Sequence, residues 1–221
     1  MAKTKSVYVC SECGAQSPQW LGRCPGCGKF GTLVEEIAEN AAPAAKKEKR
    51  ERSANFRRPV PLSEVREEHF ERVSSGIGEL DTVLGGGIVP GSLVLIGGDP
   101  GIGKSTLLTE VSAHLSKKQK VLYVSAEESC SQVKMRCARL KLDSSNLLLL
   151  NETCLEDIED AIEDEKFVVI DSIQAVYTSE LSSAAGSVGQ VRECAGKLQR
   201  IAKGRGITFF IVGHVTKEGA L

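Results

Sequence analysis

From about residue 62 onward, two hydrophobic patterns alternate along the chain. Short apolar runs with the composition of buried strands are separated by longer segments in which apolar residues recur every three or four positions. The runs predict strands at 92–96, 121–126, 147–150, 167–171 and 207–212, and the longer segments predict helices from 104, near 131–140 and around 155–162. This alternation predicts an α/β fold with a mostly parallel sheet covered by helices.

The first 60 residues lack this pattern. Residues 1–36 form a compact unit rich in cysteine and glycine, and residues 37–61 contain mainly Ala, Pro, Lys, Arg and Glu. We therefore predict a small N-terminal domain at 1–36, a basic flexible linker at 37–61 and an α/β core at 62–221. The linker could contact phosphates through counterion release, although a solvated tether is the preferred interpretation. Its basic residues are Lys46, Lys47, Lys49, Arg50, Arg52, Arg57 and Arg58.

Composition narrows the class of protein. The 221 residues are 41% hydrophobic and 26% charged, as expected for a globular protein of one or two domains. The formal charge is -1, from 28 basic and 29 acidic residues, so any affinity for nucleic acid requires a local patch. No apolar run approaches the roughly 20 residues that span a bilayer, and the N-terminus lacks an export signal. We expect a cytoplasmic protein without a membrane partner.

Two Cys-x-x-Cys pairs, separated by ten residues, predict a structural metal site. Four thiolates at this spacing complete a closed tetrahedral shell around Zn²⁺, whereas a redox site needs only one pair in a βαβ setting. The predicted zinc ligands are Cys10, Cys13, Cys24 and Cys27, and the unit is a C4 zinc ribbon. The other four cysteines are interpreted as small apolar residues. Trp20 and Arg23 lie between the pairs, where they could meet a nucleic-acid base or a protein, or where Trp20 could pack on the zinc core.

A full Gly-x-x-x-x-Gly-Lys-[Ser/Thr] motif follows the strand predicted at 92–96 and begins a helix. Backbone N–H groups of such a loop wrap a phosphate chain, and the helix directs its positive end at the anion. Lys104 would neutralise the β- and γ-phosphates and Ser105 would bind Mg²⁺. The predicted ATP-binding residues are Gly98, Asp99, Pro100, Gly101, Ile102, Gly103, Lys104, Ser105 and Thr106.

Other polar residues follow the predicted strands and should meet at the same sheet edge. Asp171 ends a buried-type strand, as a Walker B residue does, and would hold Mg²⁺ through water. A serine and not a carboxylate follows it, so the group that orients the attacking water must come from another strand. Glu127 and Glu128 follow the strand at 121–126, and we favour Glu127 as the base, with a surface carboxylate as the alternative. His214 could sense the γ-phosphate or serve only as a hydrogen-bonding residue.

The combined motifs resemble the RadA (Sms) family of bacterial DNA repair proteins. The resemblance rests on the four-cysteine unit, the phosphate loop with its Walker B strand, Ser-Gly-Ile-Gly-Glu-Leu-Asp at 75–81 with the glycines up to residue 91, and Gly-His-Val-Thr-Lys-Glu-Gly at 213–219. It implies a RecA-like P-loop ATPase core that forms a homo-hexamer, binds single-stranded or branched DNA, and drives branch migration in repair and recombination with a RecA-type recombinase. It also implies that Glu127 and Glu128 activate water and that His214 couples nucleotide state to DNA.

Family members continue through a Lys-Asn-Arg-Phe-Gly motif and a Lon-protease-like domain, so we expect this chain to be a fragment whose ATPase sheet is incomplete at the C-terminal end. We also expect its last strand to present an unpaired edge and to limit solubility. Two alternatives stay open. A KaiC-like regulatory ATPase shares the glycine-rich lead-in and paired glutamates but does not normally carry the zinc unit. The other alternative is a non-catalytic fragment that binds DNA or protein through the zinc unit and the linker, with a nucleotide site that is occupied but idle.

Overall fold

The computed structural model describes residues 5–38, 60–64, 71–143 and 145–214. The seven basic residues of the predicted linker lie outside this part of the chain. The N-terminal unit is a three-stranded antiparallel sheet in the order β2-β1-β3, in which β1 pairs with both neighbours. Its strands are β1 (Lys5–Cys10), β2 (Gln16–Ser17) and β3 (Leu33–Ala38).

A second sheet of five parallel strands forms the core, and the predicted α/β fold is confirmed. Its strands are β4 (Leu93–Gly98), β5 (Val121–Ser125), β6 (Leu147–Leu150), β7 (Phe167–Asp171) and β8 (Thr208–His214). The helices are α1 (Gly78–Val83), α2 (Lys104–Leu115), α3 (Cys130–Arg139), α4 (Leu155–Asp160) and α5 (Val188–Arg205), and a 3₁₀ turn spans Leu62–Glu64. No helix in the described part of the chain is both long and apolar enough to cross a membrane.

The central strands are buried on both faces, which explains their continuous apolar runs. Along β8, Phe209 and Ile211 belong to one hydrophobic cluster, which α4 and α5 cover. Phe210 and Val212 point to the opposite face and join the cluster that α2 and α3 cover. Both apolar faces of the sheet are thus used, and the strand ends remain available for polar residues.

The sheet order is β4-β8-β7-β5-β6, and it contradicts one expectation. The last strand was expected to present an unpaired edge, but β8 pairs with both β4 and β7. The crossover through α5 returns the chain between strands formed earlier, so β4 and β6 are the edge strands of the described sheet. Helix α5 was not among the bounded elements predicted. It begins after Ser187, whose hydroxyl accepts a hydrogen bond from the amide of Gln190, and it ends just before Gly206, which has a left-handed φ of 66°.

Candidate nucleotide site and metal centre

The four predicted zinc ligands come together at the tips of the N-terminal sheet. Their sulfur atoms all lie within 4.8 Å of one another, with Cys10 Sγ 3.7 Å from Cys27 Sγ and Cys13 Sγ 3.5 Å from Cys24 Sγ. Tetrahedral Zn²⁺ with bonds of about 2.3 Å separates its sulfur ligands by about 3.8 Å. The four cysteines therefore fit a structural zinc ion with no open position.

Two matching turns build this centre. The amide of Gly14 donates to the carbonyl of Cys10, and the amide of Gly28 donates to the carbonyl of Cys24, both at 2.9 Å. Burial alone would raise the pKa of Cys10, but the Thr32 hydroxyl and the backbone amides at residues 12 and 13 lower it to about 6. The surroundings of Cys10 therefore favour the thiolate that binds a metal.

The residues between the cysteine pairs do not all pack on the metal centre. The ribbon's small apolar cluster contains Cys10, Cys24 and Leu33 with Leu21 beside them, whereas Trp20 is 58% exposed. Arg23 donates from Nε to the Gly28 carbonyl at 2.8 Å, and its guanidinium lies 5.6 Å from the centre of the Phe30 ring. Leu21 thus takes the packing role considered for Trp20, whose ring stays largely in solvent.

The phosphate loop connects β4 to α2 as its motif predicts. Gly101 and Gly103 have left-handed φ angles of 80° and 104°, which glycine adopts without strain. Lys104 Nζ donates to the carbonyls of Gly98 and Asp99, both at 2.8 Å, and is 7% exposed. The ammonium group therefore lies across the loop that would wrap a phosphate chain, bound by carbonyls that a phosphate can replace.

Asp171 and Ser105 meet behind the loop, although they come from β7 and α2. Ser105 Oγ donates to Asp171 Oδ1 at 3.1 Å. Adjacent oxygen ligands of octahedral Mg²⁺, with bonds of about 2.1 Å, are about 3.0 Å apart. The two oxygens therefore fit a divalent cation between the loop and the sheet. The peptide bond from Asp171 to Ser172 is cis.

The other carboxylate oxygen of Asp171 has a partner that the sequence analysis missed. The hydroxyl of Tyr123, which is fully buried in β5, donates to Asp171 Oδ2 at 2.5 Å. Burial raises the pKa of Tyr123, and the negative charge of Asp171 raises it further, so the phenol stays protonated. A phenol in an otherwise apolar buried strand was the available signal, because a buried hydroxyl needs a partner.

The paired glutamates after β5 have different surroundings. Glu127 accepts a hydrogen bond from the Ser172 hydroxyl, and its Oε1 lies 3.4 Å from His214 Nε2. Glu128 forms an ion pair with Arg136 Nη1 at 2.8 Å. The remaining ring nitrogen of His214, Nδ1, is buried and has no hydrogen-bond partner among the described residues. Glu128 is thus paired with the guanidinium of Arg136, whereas Glu127 contacts the Ser172 hydroxyl and the His214 ring.

A cleft of about 540 Å³ at the carboxyl edge of the sheet brings most of these residues together. The strand register explains why these residues lie at the same edge, because Gly98 pairs with His214 and Asp171 pairs with Ser125 at the ends of their strands. Gly98 and Asp99 contribute only the carbonyls that bind Lys104, and Ile102 is 70% exposed. The lining residues are Pro100, Gly101, Gly103, Lys104, Ser105, Thr106, Glu127, Glu128, Arg136 and His214.

Comparisons with known proteins match both regions. A family model described as an AAA domain matches residues 59–220, and a rubredoxin metal-binding domain model matches residues 8–35. Proteins named DNA repair protein RadA are similar over the whole chain, with 52% identity in Bacillus subtilis and 48% in Campylobacter jejuni. This chain covers 49% and 50% of those relatives, so it spans about half their length.

A solved structure supports the fold of the core. A KaiC-like protein from the archaeon Pyrococcus horikoshii OT3 superimposes with a TM-score of 0.58 at 21% identity, covering 69% of this chain and 74% of that one. At this identity the likeness concerns the fold alone.

Proposed function

This chain belongs to the RadA family of DNA repair proteins and carries an AAA-type ATPase domain, and from that premise we propose that it binds and hydrolyses ATP in response to DNA. One observation carries the proposal. A phosphate loop and a carboxylate held by a hydroxyl line one cleft at the carboxyl edge of a parallel sheet, and Asp171 meets the cleft through its hydrogen bond with Ser105. This edge is where nucleotides bind in open α/β sheets.

The loop and its lysine would bind the triphosphate. Amides of residues 101–106 lie at the start of α2, where the helix dipole favours negative charge. Lys104 would exchange its two carbonyl partners for β- and γ-phosphate oxygens. Ser105 and Asp171 would hold Mg²⁺, which supplies positive charge against the charge that develops on the phosphate oxygens during hydrolysis.

Glu127 is the proposed general base. The Ser172 hydroxyl and His214 hold its carboxylate at the cleft, where it can orient a water molecule and accept its proton. Glu128 would instead keep Arg136 in place through their ion pair. This division of roles between adjacent glutamates follows from their different partners and agrees with the preference for Glu127 from the sequence.

His214 would connect hydrolysis to DNA. It ends β8, the strand between the loop strand β4 and the Walker B strand β7, and it contacts the proposed base. Movement of this side chain on loss of the γ-phosphate would be passed along the chain after β8. For the protein we propose single-stranded or branched DNA as the ligand, a homo-hexamer as the assembly, and branch migration with a RecA-type recombinase as the activity.

Hydrolysis of ATP by the purified chain, measured with and without single-stranded DNA, tests the proposal. Lys104→Ala should abolish hydrolysis, and Glu127→Gln should lower kcat by about 10²- to 10⁴-fold while nucleotide binding is kept. Glu128→Gln is the matched control and should retain more activity than Glu127→Gln. Hydrolysis that survives Lys104→Ala, or equal losses in the two glutamine variants, would contradict the assigned roles. Nucleotide binding without hydrolysis in the wild-type chain would favour the non-catalytic alternative.

A further inference from the structure

The Tyr123 hydroxyl has two partners in the interior of the core. It donates a hydrogen bond to Asp171 Oδ2 at 2.5 Å and accepts one from Arg136 Nη2 at 3.4 Å. A carboxylate at the end of a strand can rotate about its side-chain bonds, and a hydrogen bond to one oxygen restricts where the other points. With Oδ2 fixed by the phenol, Oδ1 faces Ser105.

Arg136 joins this contact to Glu128 in the cleft and to Thr109 in α2. Its side chain is only 10% exposed, and besides its ion pair with Glu128 it donates from Nε to Thr109 Oγ1 at 3.1 Å. Thr109 in turn donates to the carbonyl of Ser105 at 2.7 Å. One guanidinium thus contacts a hydroxyl bonded to each residue of the cation-binding pair, Tyr123 at Asp171 Oδ2 and Thr109 at the Ser105 carbonyl.

We propose that Tyr123, anchored by Arg136, is a positioning residue that orients the Asp171 carboxylate for the divalent cation. The inference rests on the proposed function, because it assigns a role within the same site. Groups that hydrogen-bond to metal ligands fix the orientation of those ligands, and their removal lowers metal affinity by about 10- to 100-fold. Tyr123 therefore acts on cation binding through Asp171 and makes no hydrogen bond to Lys104, whose partners are the carbonyls of Gly98 and Asp99.

Tyr123→Phe isolates this role because it removes only the hydroxyl and keeps the ring in the core. The probe is a fluorescent ATP analogue, titrated first in EDTA and then at increasing Mg²⁺ concentration. We expect unchanged affinity in EDTA, and a Mg²⁺ concentration for half-maximal enhancement of binding raised by about tenfold or more. Tyr177→Phe, which removes a phenol that does not line the cleft, is the matched control and should behave as wild type.

The outcomes separate this inference from the proposed function. If the wild-type chain binds the analogue with Mg²⁺-dependent enhancement and Tyr123→Phe matches it, the positioning role is wrong and the proposed function stands. If the wild-type chain shows no enhancement by Mg²⁺, the proposed cation site fails and the inference fails with it. Arg136→Lys, which keeps the charge but loses the forked geometry, provides a second variant and should raise the Mg²⁺ requirement in the same direction. A normal Mg²⁺ requirement in Arg136→Lys would remove Arg136 from the proposal.

Discussion

The ribbon and the core are stabilised by different means. The buried apolar cluster of the ribbon consists of Cys10, Cys24 and Leu33, and two of these three are predicted zinc ligands. The core instead buries continuous apolar strands on both faces of its sheet, including Phe209 and Phe210. A unit as small as the ribbon cannot bury enough surface to fold alone, whereas the core can. A metal ion at the four cysteines would therefore take the place of hydrophobic burial in one region of the same chain.

The chain provides a separate reporter for each region. Trp20 is its only tryptophan and lies in the ribbon. Its fluorescence reports on the ribbon, and binding of a nucleotide analogue reports on the core. The following changes test whether the two regions respond independently of each other.

Loss of zinc should have the largest effect. Structural Zn²⁺ contributes roughly 10 to 16 kcal/mol in comparable peptides, so Cys13→Ser or a strong chelator should unfold the ribbon. We expect loss of bound zinc and a drop in Trp20 fluorescence anisotropy, with nucleotide binding retained. Cys130→Ser, which changes a cysteine of α3 outside the four-cysteine centre, is the matched control and should keep its zinc. An ordered ribbon in zinc-free protein would mean that burial, and not metal, holds it together.

A cavity in the core should have the opposite effect, in which the core is destabilised and the ribbon keeps its zinc. Phe209 is fully buried between β8 and the helices that cover it, and Phe209→Ala should cost about 3 to 5 kcal/mol of unfolding free energy. Thermal unfolding followed by far-ultraviolet circular dichroism would show the loss, while zinc content stays unchanged. Phe30→Ala removes a ring that is 77% exposed in the ribbon and should leave the unfolding of the core as it is. A loss of zinc in Phe209→Ala would show that the two regions fold as one unit.

The features that could be predicted from the sequence are local, and those that could not depend on how distant segments pack together. The cysteine pairs and the phosphate loop are local motifs, since their residue spacing determines the turns that bring the ligands together. Tyr123 and Arg136 approach Asp171 only through the register of β5 against β7 and the packing of α3, which no short segment encodes. The expected edge at β8 was wrong for the same reason, because strand order depends on how the α5 crossover returns to the sheet.

A partly buried charge cluster in the core should have a smaller effect that depends on pH. Lys197 Nζ lies 2.8 Å from carboxylate oxygens of both Glu156 and Glu180, and its side chain is 14% exposed. Burial would raise the pKa of Glu156, but Lys197, the Thr178 hydroxyl and the amide of Ser179 lower it well below the ordinary glutamate range. Glu156→Gln should therefore destabilise the core at neutral pH, by about 1 kcal/mol after allowance for the exposed part of the carboxylate.

The sign of the pH dependence follows from the lowered pKa. A carboxylate with a depressed folded-state pKa stabilises the protein fully above its unfolded-state pKa, and this stabilisation is lost as pH falls through the folded-state value. The difference in unfolding free energy between wild type and Glu156→Gln should therefore shrink below the ordinary glutamate range. Denaturant unfolding at several pH values measures it, and a difference that grows on acidification would contradict the assignment.

An ion pair in the ribbon supplies the matched comparison and the smallest expected effect. Lys29 Nζ lies 2.6 Å from Glu12 Oε2, but the two side chains are 57% and 46% exposed. Exposed pairs contribute at most about 1 kcal/mol and often nothing measurable, so Glu12→Gln should leave zinc affinity and Trp20 anisotropy close to wild type. A chelator competition assay compares the two proteins directly. A clear loss of zinc affinity would mean that surface charge helps to hold the ribbon, and the division between a metal-held region and a burial-held region would then be too sharp.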